Sequence, residues 1–224
     1  MINRYSEFSL PIDEDGVWIE TLNKPKPSAP GPALFLDRDG VIVEEVNYLH
    51  KAEDVKLIDG AADTIRAANL SDIPVAVVTN QAGIGYGMYS WEEFAVVQER
   101  MLDALSDADA YVNAVAACPF HAKGKPPFND PDHPCRKPNP GMLLKAAERM
   151  AIELARSWIV GDRAGDIGAG KNAGLAGGIH VLTGHGEDPS ERTSSMALAG
   201  RDYKVIGASS IADVPNHIAL LRER

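Results

Sequence analysis

Two aspartates directly after a short apolar run are the first residues in this chain that could do chemistry. The segment LFLDRDG places Asp37 and Asp39 two residues apart, just past Leu34–Leu36. Carboxylates at the end of a buried strand are costly unless a cation or a hydrogen-bond donor compensates them. The alternative is a simple turn, because Asp-Gly at Asp39–Gly40 is a common turn pair. The acidic pair therefore indicates either a site that needs a cation or a tight turn.

A second acidic motif lies later in the chain, in WIVGDRAGD. Asp162 follows an apolar run and a glycine, which indicates the end of another buried strand. Asp166 falls in the first turn of the helix predicted behind it, where a carboxylate also stabilises the helix dipole. A purely structural role therefore competes with a chemical one at Asp166 more strongly than at Asp162.

Polar and basic residues at two further places could bind an anion. Thr79 and Asn80 end the segment VVTN and offer a hydroxyl and an amide. The glycine-rich segment 83–87 behind them allows close approach of the backbone, although such loops often only mark mobility. Arg136 and Lys137 precede a proline in CRKPNPG and, taken singly, would be solvated surface charges.

Short apolar runs and longer helical stretches alternate from residue 33 onward. The runs that predict strands are Ala33–Leu36, Ile73–Val78, Val112–Ala117, Ser157–Val160 and Ile179–Leu182. The stretches that predict helices are Ala61–Asn69, Trp91–Leu105 and Gly141–Met150. Ser90 and Glu93 form a capping box before the second helix. This alternation predicts a doubly wound α/β fold, with a mostly parallel sheet and helices on both faces.

The residues that could do chemistry lie at or just after the carboxyl ends of these predicted strands, or in a loop before a helix. Open α/β sheets bind their ligands at that edge. Residues 1–32, by contrast, lack periodicity and have prolines at positions 25, 27, 30 and 32. They predict an extended N-terminal arm ahead of a single domain over residues 33–224.

Composition limits the classes of function. The chain has 224 residues, of which 45% are hydrophobic, and a formal net charge of −10. This charge argues against general binding to nucleic acids or anionic membranes. No apolar run approaches the ~18 residues of a membrane helix, and no secretory signal is visible at the N-terminus. Two cysteines make no disulfide framework, so we expect a cytoplasmic protein, with a monomer as the default.

Both cysteines lie in a proline-rich segment that ends at the basic pair, CPFHAKGKPPFNDPDHPCRK. Cys118 and His121 form one pair, and His133 and Cys135 form another. Four soft or borderline ligands in two pairs suit tetrahedral zinc. The alternative is a proline-rich loop in which the cysteines and histidines are incidental.

Taken together and in this order, the motifs Asp-x-Asp-Gly, Thr-Asn, Arg-Lys-Pro and Gly-Asp-x-x-x-Asp resemble those of the haloacid dehalogenase superfamily of phosphatases. The resemblance covers residues 33–221, nearly the whole predicted domain. The longer strings FLDRDGVI, VVTNQAGI and CRKPNPGMLL are similar to one branch, the D-glycero-D-manno-heptose 1,7-bisphosphate phosphatases. Histidinol-phosphate phosphatases are its near relatives.

The resemblance implies a mechanism. Asp37 would attack phosphorus to give an aspartyl-phosphate, and Asp39 would protonate the leaving alkoxide and then activate water. Mg²⁺ would bind the side chains of Asp37 and Asp162 and the backbone carbonyl of Asp39. Thr79 would hydrogen-bond the transferring phosphoryl group, and Lys137 would stabilise its charge.

The resemblance also implies where the substrate binds. Arg136 can fork onto a second phosphate or a sugar hydroxyl, and Asn80 and Gln81 are further expected contacts. The intervals between the motifs leave no room for a large cap domain. We therefore expect two loops to cover the site, the flap GVIVEEVNYL and the Cys118–Cys135 loop, and the substrate to be a small phosphorylated metabolite.

The branch carries a structural zinc loop of the form Cys-x-His then Cys-x-Cys ahead of Arg-Lys-Pro. Here Phe120 stands where the histidine is expected, His121 comes one residue late, and His133 replaces a cysteine. A zinc site with Cys118 and Cys135 as its outer ligands and a degenerate loop without metal both stay open.

The expected function is hydrolysis of a phosphoric monoester with Mg²⁺ as cofactor. The expected substrate is a heptose bisphosphate in nucleotide-sugar or lipopolysaccharide-precursor synthesis. One alternative is a phosphatase for histidinol phosphate or another small phosphomonoester. Another is a non-catalytic binding or scaffold module on the same fold, although the complete set of motifs argues against it.

Overall fold

The computed structural model describes Tyr5, residues 10–22 and residues 30–221. Within these ranges the strands of one sheet are β1 (Trp18–Thr21), β2 (Leu34–Leu36), β3 (Val75–Asn80), β4 (Ala114–Cys118), β5 (Trp158–Gly161), β6 (Gly177–Val181) and β7 (Lys204–Ala208). The helices are α1 (Ala61–Leu70), α2 (Ala82–Tyr86), α3 (Trp91–Asp107), α4 (Gly141–Met150), α5 (Ala164–Asn172), α6 (Pro189–Met196) and α7 (Val214–His217). No helix in the described ranges is long and apolar enough to cross a membrane.

The order of the strands places the acidic motifs at the centre of the sheet. The order is β1-β4-β3-β2-β5-β6-β7, and every neighbouring pair is parallel except β1 with β4. β2 therefore lies between β3 and β5, and the three strands end at the same edge. The mostly parallel doubly wound fold predicted from the sequence is confirmed.

Both faces of the sheet are buried. Successive side chains of a strand point to opposite faces, so each strand contributes to the cores on both sides of the sheet. Leu34 and Leu36 belong to one core cluster, which includes apolar residues of α1 and α3. Phe35 belongs to the other cluster, which includes apolar residues of α4 and α5. A strand that packs on both faces is rigid, so the residues that follow it are held in fixed positions.

The predicted strands and helices are all present, with ends shifted by one or two residues at most. The capping box at Ser90 and Glu93 is also confirmed. The glycine-rich segment after β3, predicted as a loop, forms the short helix α2 instead. β7 and α6 were not predicted, because the edge strand β7 is half-exposed and α6 has a weak apolar pattern.

Part of the predicted N-terminal arm belongs to the sheet. Residues 18–21 form β1, an edge strand antiparallel to β4, and the side chain of Trp18 is fully buried. Lys145 of α4 holds the preceding turn through ion pairs of 2.7 Å to Asp13 and to Asp15. Antiparallel pairing is possible here because the strand enters from outside the βαβ repeat.

Much of the rest of the predicted arm, with Pro25 and Pro27, lies outside the described residues. The division of the chain into an arm and one domain at residue 32 stays a prediction.

Candidate active site

The carboxyl edge of the sheet forms a cavity of about 580 Å³ that contains the predicted catalytic residues. Asp37 follows β2, Thr79 lies near the end of β3, and Asp162 follows β5. Lys137 reaches the cavity from the loop before α4. These four residues are between 1% and 8% exposed, so the groups that could do chemistry form the floor of the cavity.

Three buried carboxylates meet on this floor. Oxygen atoms of Asp37, Asp162 and Asp166 all lie within 4.8 Å of one another. Burial and the neighbouring charge of Asp166 raise the pKa of Asp37 to about 7 and that of Asp162 to about 9. A hard divalent cation would remove this repulsion, and carboxylate oxygens are the donors that Mg²⁺ prefers. The donor set therefore fits Mg²⁺, with Asp166 as a member that the sequence did not assign to the metal.

Lys137 neutralises part of this negative charge. Its Nζ lies 3.0 Å from Asp37 Oδ1 and 2.6 Å from Asp166 Oδ1, and it donates to the carbonyl of Val78 at 2.8 Å. Burial alone would lower the pKa of Lys137, but the charges of Asp166 and Asp37 outweigh it and raise the pKa above its usual value. Lys137 is therefore a fixed cation beside the predicted nucleophile.

The amides of Asn80 and Gln81 are engaged by protein groups, although both residues line the cavity. Asn80 donates to the carbonyl of Lys137 at 3.2 Å and accepts from its backbone N–H at 3.1 Å. Gln81 Nε2 donates to Asp39 Oδ2 at 2.9 Å and to Thr79 Oγ1 at 2.8 Å. These contacts position other residues of the site, and the substrate contacts predicted for both amides stay predictions.

The turn after β2 has both of the roles that the sequence left open. Gly40 has φ +79° and lies so close to the carboxylate of Asp162 that a Cβ would not fit. Thr183 donates its hydroxyl to the carbonyl of Gly40, and the N–H of His185 donates to Asp162 Oδ2 at 2.7 Å. Asp-Gly thus forms a tight turn that also lets the two acidic motifs approach each other.

Arg38, between the two aspartates, is a member of the site that the sequence analysis missed. It is 1% exposed, and its guanidinium lies 2.9 Å from Asp39 Oδ2. A charged residue directly after a buried strand and inside an acidic pair was the available signal. A buried cation needs a partner, and here the partner is the predicted acid/base.

Both loops that the sequence predicted to cover the site contribute residues to the lining of the cavity. The flap contributes Tyr48 and the Cys118–Cys135 loop contributes His121, and Tyr86 of α2 lies between them. The ring centroid of Tyr86 lies 6.0 Å from that of Tyr48 and 5.1 Å from that of His121, and both contacts are edge to face. Arg136 lines the same cavity and donates to the carbonyl of Phe120 at 2.8 Å.

Acidic and basic residues line another part of the cavity. Glu45 of the flap lies 3.6 Å from His185, and Arg163 lies 4.0 Å from Glu191. Burial and the charges of Asp39 and Asp37 raise the pKa of Glu45 to about 7. No role could be predicted for these residues from the sequence, since only the folded chain brings them to the cavity.

No three of the four predicted zinc ligands lie close enough together to hold a metal ion. Within the described part of the chain, the three-aspartate cluster is the group of ligand-type side chains close enough to hold a metal, and it includes none of Cys118, His121, His133 and Cys135. The ring of His133 stacks on Phe120 instead, with centroids 3.8 Å apart and an interplanar angle of 3°. His121 faces the cavity because it comes one residue late. The zinc prediction is therefore not supported, and packing holds this loop.

Comparison with known proteins relates this chain to phosphatases. A family model described as HAD-hydrolase-like matches residues 134–204. The D-glycero-β-D-manno-heptose-1,7-bisphosphate 7-phosphatase of Mesorhizobium japonicum is 46% identical over 168 residues, which cover 75% of this chain and 77% of that protein.

Solved structures show the same relation. A HAD-like phosphatase from Mesorhizobium loti matches with a TM-score of 0.75 and 41% identity, over 86% of this chain and 99% of that one. The D,D-heptose 1,7-bisphosphate phosphatase of B. bronchiseptica, in complex with magnesium and phosphate, matches with a TM-score of 0.68 and 27% identity, over 83% and 96% of the two chains.

The fold and the site define a phosphatase of the haloacid dehalogenase superfamily, and thus a phosphoric monoester hydrolase. Within that superfamily, the chain belongs to the family of the heptose-1,7-bisphosphate 7-phosphatases. The resemblance read from the motifs is confirmed, and a non-catalytic module is no longer a competing interpretation.

Proposed function

We propose that this protein removes one phosphate from D-glycero-β-D-manno-heptose 1,7-bisphosphate, at carbon 7, with Mg²⁺ as cofactor. The observation that carries the catalytic part is the buried cluster of three carboxylates with Lys137 bridging two of them. The names of the matched relatives support the substrate, and the magnesium and phosphate bound by one of them support the cofactor.

Asp37 is the proposed nucleophile. Its Oδ1 accepts from the N–H of Arg38 at 2.7 Å and lies against Lys137, so the carboxylate is held in one orientation. Asp37, Asp162 and Asp166 would hold Mg²⁺, which supplies charge neutralisation for the phosphoryl group when bound. Attack on phosphorus then gives an aspartyl-phosphate and releases the sugar alcohol.

Asp39 is the proposed general acid and base. Its side chain is 19% exposed, whereas that of Lys137 is 2% exposed, so Asp39 can reach a leaving oxygen in the cavity. The hydroxyl of Thr79 accepts from Gln81, which leaves its own proton available to a phosphoryl oxygen. Lys137 stabilises the charge that develops during transfer.

The rim of the cavity is the proposed site for the rest of the substrate. Arg136 is half-buried beside Tyr86 and can fork onto the second phosphate. Glu45 can accept hydrogen bonds from sugar hydroxyls. The compact cavity and its charged rim suit a small, doubly phosphorylated sugar better than a polymer.

Phosphate release from a panel of substrates tests the proposal. The panel contains the β and α anomers of the heptose bisphosphate, histidinol phosphate and glycerol 3-phosphate, each with and without Mg²⁺. We expect the β anomer to give the highest kcat/KM, phosphorus NMR to show loss at carbon 7, and turnover to require Mg²⁺. A higher kcat/KM for histidinol phosphate would reject the substrate, and full activity after chelation would reject the cofactor.

A further inference from the structure

The buried guanidinium of Arg38 holds the carboxylate of Asp39, the predicted acid/base. Its Nε donates to Asp39 Oδ1 at 3.1 Å and to Oδ2 at 3.2 Å, and its NH2 donates to Oδ2 at 2.9 Å. The guanidinium lies 5.2 Å from the centroid of the Phe94 ring in the core. Burying a cation is costly unless it is paired in good geometry, so this placement restricts the carboxylate of Asp39 to one orientation.

Gln81 holds the same carboxylate from a second direction. Its Nε2 donates to Asp39 Oδ2 at 2.9 Å, and its Oε1 accepts from Arg38 NH2 at 3.2 Å and from the hydroxyl of Tyr89. A carboxylate only accepts and a guanidinium only donates, so the amide has one possible orientation. Burial raises the pKa of Tyr89, which keeps its hydroxyl protonated as the donor to Gln81.

The two oxygens of Asp39 therefore differ. Oδ2 accepts from Arg38 Nε, Arg38 NH2 and Gln81 Nε2, whereas Oδ1 accepts from Arg38 Nε alone among these donors. A carboxylate oxygen has about two lone pairs, so Oδ2 has no capacity left for a proton. A proton placed on Oδ2 would also point at hydrogen-bond donors, and none of these groups could accept it.

We propose that Arg38, Gln81 and Tyr89 form a buried clamp that aims Asp39, and that Oδ1 is the oxygen that delivers and collects the catalytic proton. This inference rests on the proposed role of Asp39. The three residues of the clamp are positioning residues, because they act on the reaction through Asp39.

The proton transfers follow from this geometry. In the first step the proton on Oδ1 moves to the ester oxygen as the P–O bond to the sugar breaks and the bond from Asp37 to phosphorus forms. In the second step Oδ1 takes a proton from the attacking water as the bond between Asp37 and phosphorus breaks. The same oxygen thus serves both steps, and the carboxylate does not need to rotate between them.

Substrates with different leaving groups test the clamp. An alkyl phosphate needs a proton on its leaving oxygen, whereas p-nitrophenolate leaves without one, and kcat/KM reports the first step alone. In Arg38→Lys, which keeps the charge but loses the fork, we expect kcat/KM for an alkyl phosphate to fall about 10–100-fold. For p-nitrophenyl phosphate we expect a fall of less than about 3-fold. Tyr89→Phe should show the same split at about 3–10-fold.

Two further variants separate the possible failures. Asp39→Asn is the reference: if it shows no split between the two substrates, the proposed role of Asp39 is wrong. If Asp39→Asn shows the split, but Arg38→Lys and Tyr89→Phe lower both substrates equally, the clamp is rejected while the role of Asp39 stands. Tyr203→Phe is the matched control, because its buried hydroxyl donates to the carbonyl of Ile167, away from the cavity, at 2.7 Å.

Thermal melting accompanies each assay. If Arg38→Lys does not fold, Tyr89→Phe decides the proposal alone, since it removes one hydroxyl and keeps the ring. Equal kcat/KM of Tyr89→Phe and the wild type for the alkyl phosphate would then overturn the clamp.

Discussion

The floor of the cavity and the Cys118–Cys135 loop both gather metal-ligand residues, and they form different kinds of structure. On the floor, three carboxylates from two motifs lie within 4.8 Å of one another. In the loop, Phe120 and His133 stack, and both cysteine side chains pack into a core cluster. The presence of residues that could bind a metal is therefore not enough to identify a metal site.

Charge explains the difference. Lys137 brings one positive charge to three buried carboxylates, so most of their negative charge is left for a metal ion to neutralise. A protonated thiol packs as a small apolar group. Burial raises the pKa of Cys118 to about 12 and that of Cys135 to about 11, so both thiols stay neutral near pH 7. We therefore expect the loop to pack without a metal and the floor to need one for its chemistry.

The largest effect is expected from Asp37→Asn on the floor. An amide cannot form the phosphorylated intermediate, so we expect turnover to fall on the order of 10⁴-fold or more. The fold should be retained, because the change removes a buried charge. Phosphate release and thermal melting measure both, with the exposed Asp107→Asn as the control. Activity within tenfold of the wild type would contradict the assignment of the nucleophile.

Asp166→Asn should act mainly on the metal. It removes one of the three carboxylates, so we expect the Mg²⁺ concentration for half-maximal activity to rise about 10–100-fold. The stabilisation that Mg²⁺ gives in thermal melting should shrink in parallel. If instead stability falls and the Mg²⁺ dependence of the activity is unchanged, Asp166 has the structural role that its place in the first turn of α5 also suggested.

His133→Phe tests the loop. The flat ring should keep the stack on Phe120, while the hydrogen bond from the N–H of Cys135 to His133 Nδ1 is lost. We expect a loss of about 1 kcal/mol in the free energy of unfolding and activity within about 2-fold of the wild type. His133→Ala, which also loses the stack, is the comparison and should be less stable. A collapse of activity in His133→Phe would point to a lost ligand and restore the zinc interpretation.

The smallest effect near neutral pH is expected at the thiols. Burial raises the pKa of both thiols and keeps them protonated at pH 8, so Ellman's reagent should react only after unfolding. Above about pH 9 the thiols of the unfolded chain ionise while those of the native protein do not. The thiols therefore lower native stability progressively as the pH rises toward 11. Rapid reaction of two thiols in the folded protein would show that the loop is open.

The sequence was sufficient to predict those site residues and strands whose signal lies in a short local segment. Asp37, Thr79 and Asp162 could be predicted because each follows an apolar run, and parallel strands bring their ends to one edge. The central strands could be predicted because both of their faces are buried. β1 and β7 were not predicted because edge strands have half-exposed patterns that resemble loops.

Contacts between distant segments were beyond the sequence. Arg38 and Tyr89 meet at Gln81 only in the folded chain, in which residues of α3, β2 and β3 belong to one core cluster. The position of His121 shows the same limit, since a shift by one residue turned a predicted zinc ligand toward the cavity. Spacing along the chain does not determine which way a loop residue faces.

The contact between Asn80 and Lys137 has a consequence for how this family can change. The Asn80 side chain at the end of β3 donates to the backbone carbonyl of Lys137 and accepts from its backbone N–H, and Lys137 Nζ donates to the carbonyl of Val78. The lysine is thus located by the sheet and not by the path of the residues before it. We therefore expect changes within residues 119–135 to leave the lysine in place. The contacts that this loop makes with a substrate could then change while the phosphoryl-transfer machinery stays the same.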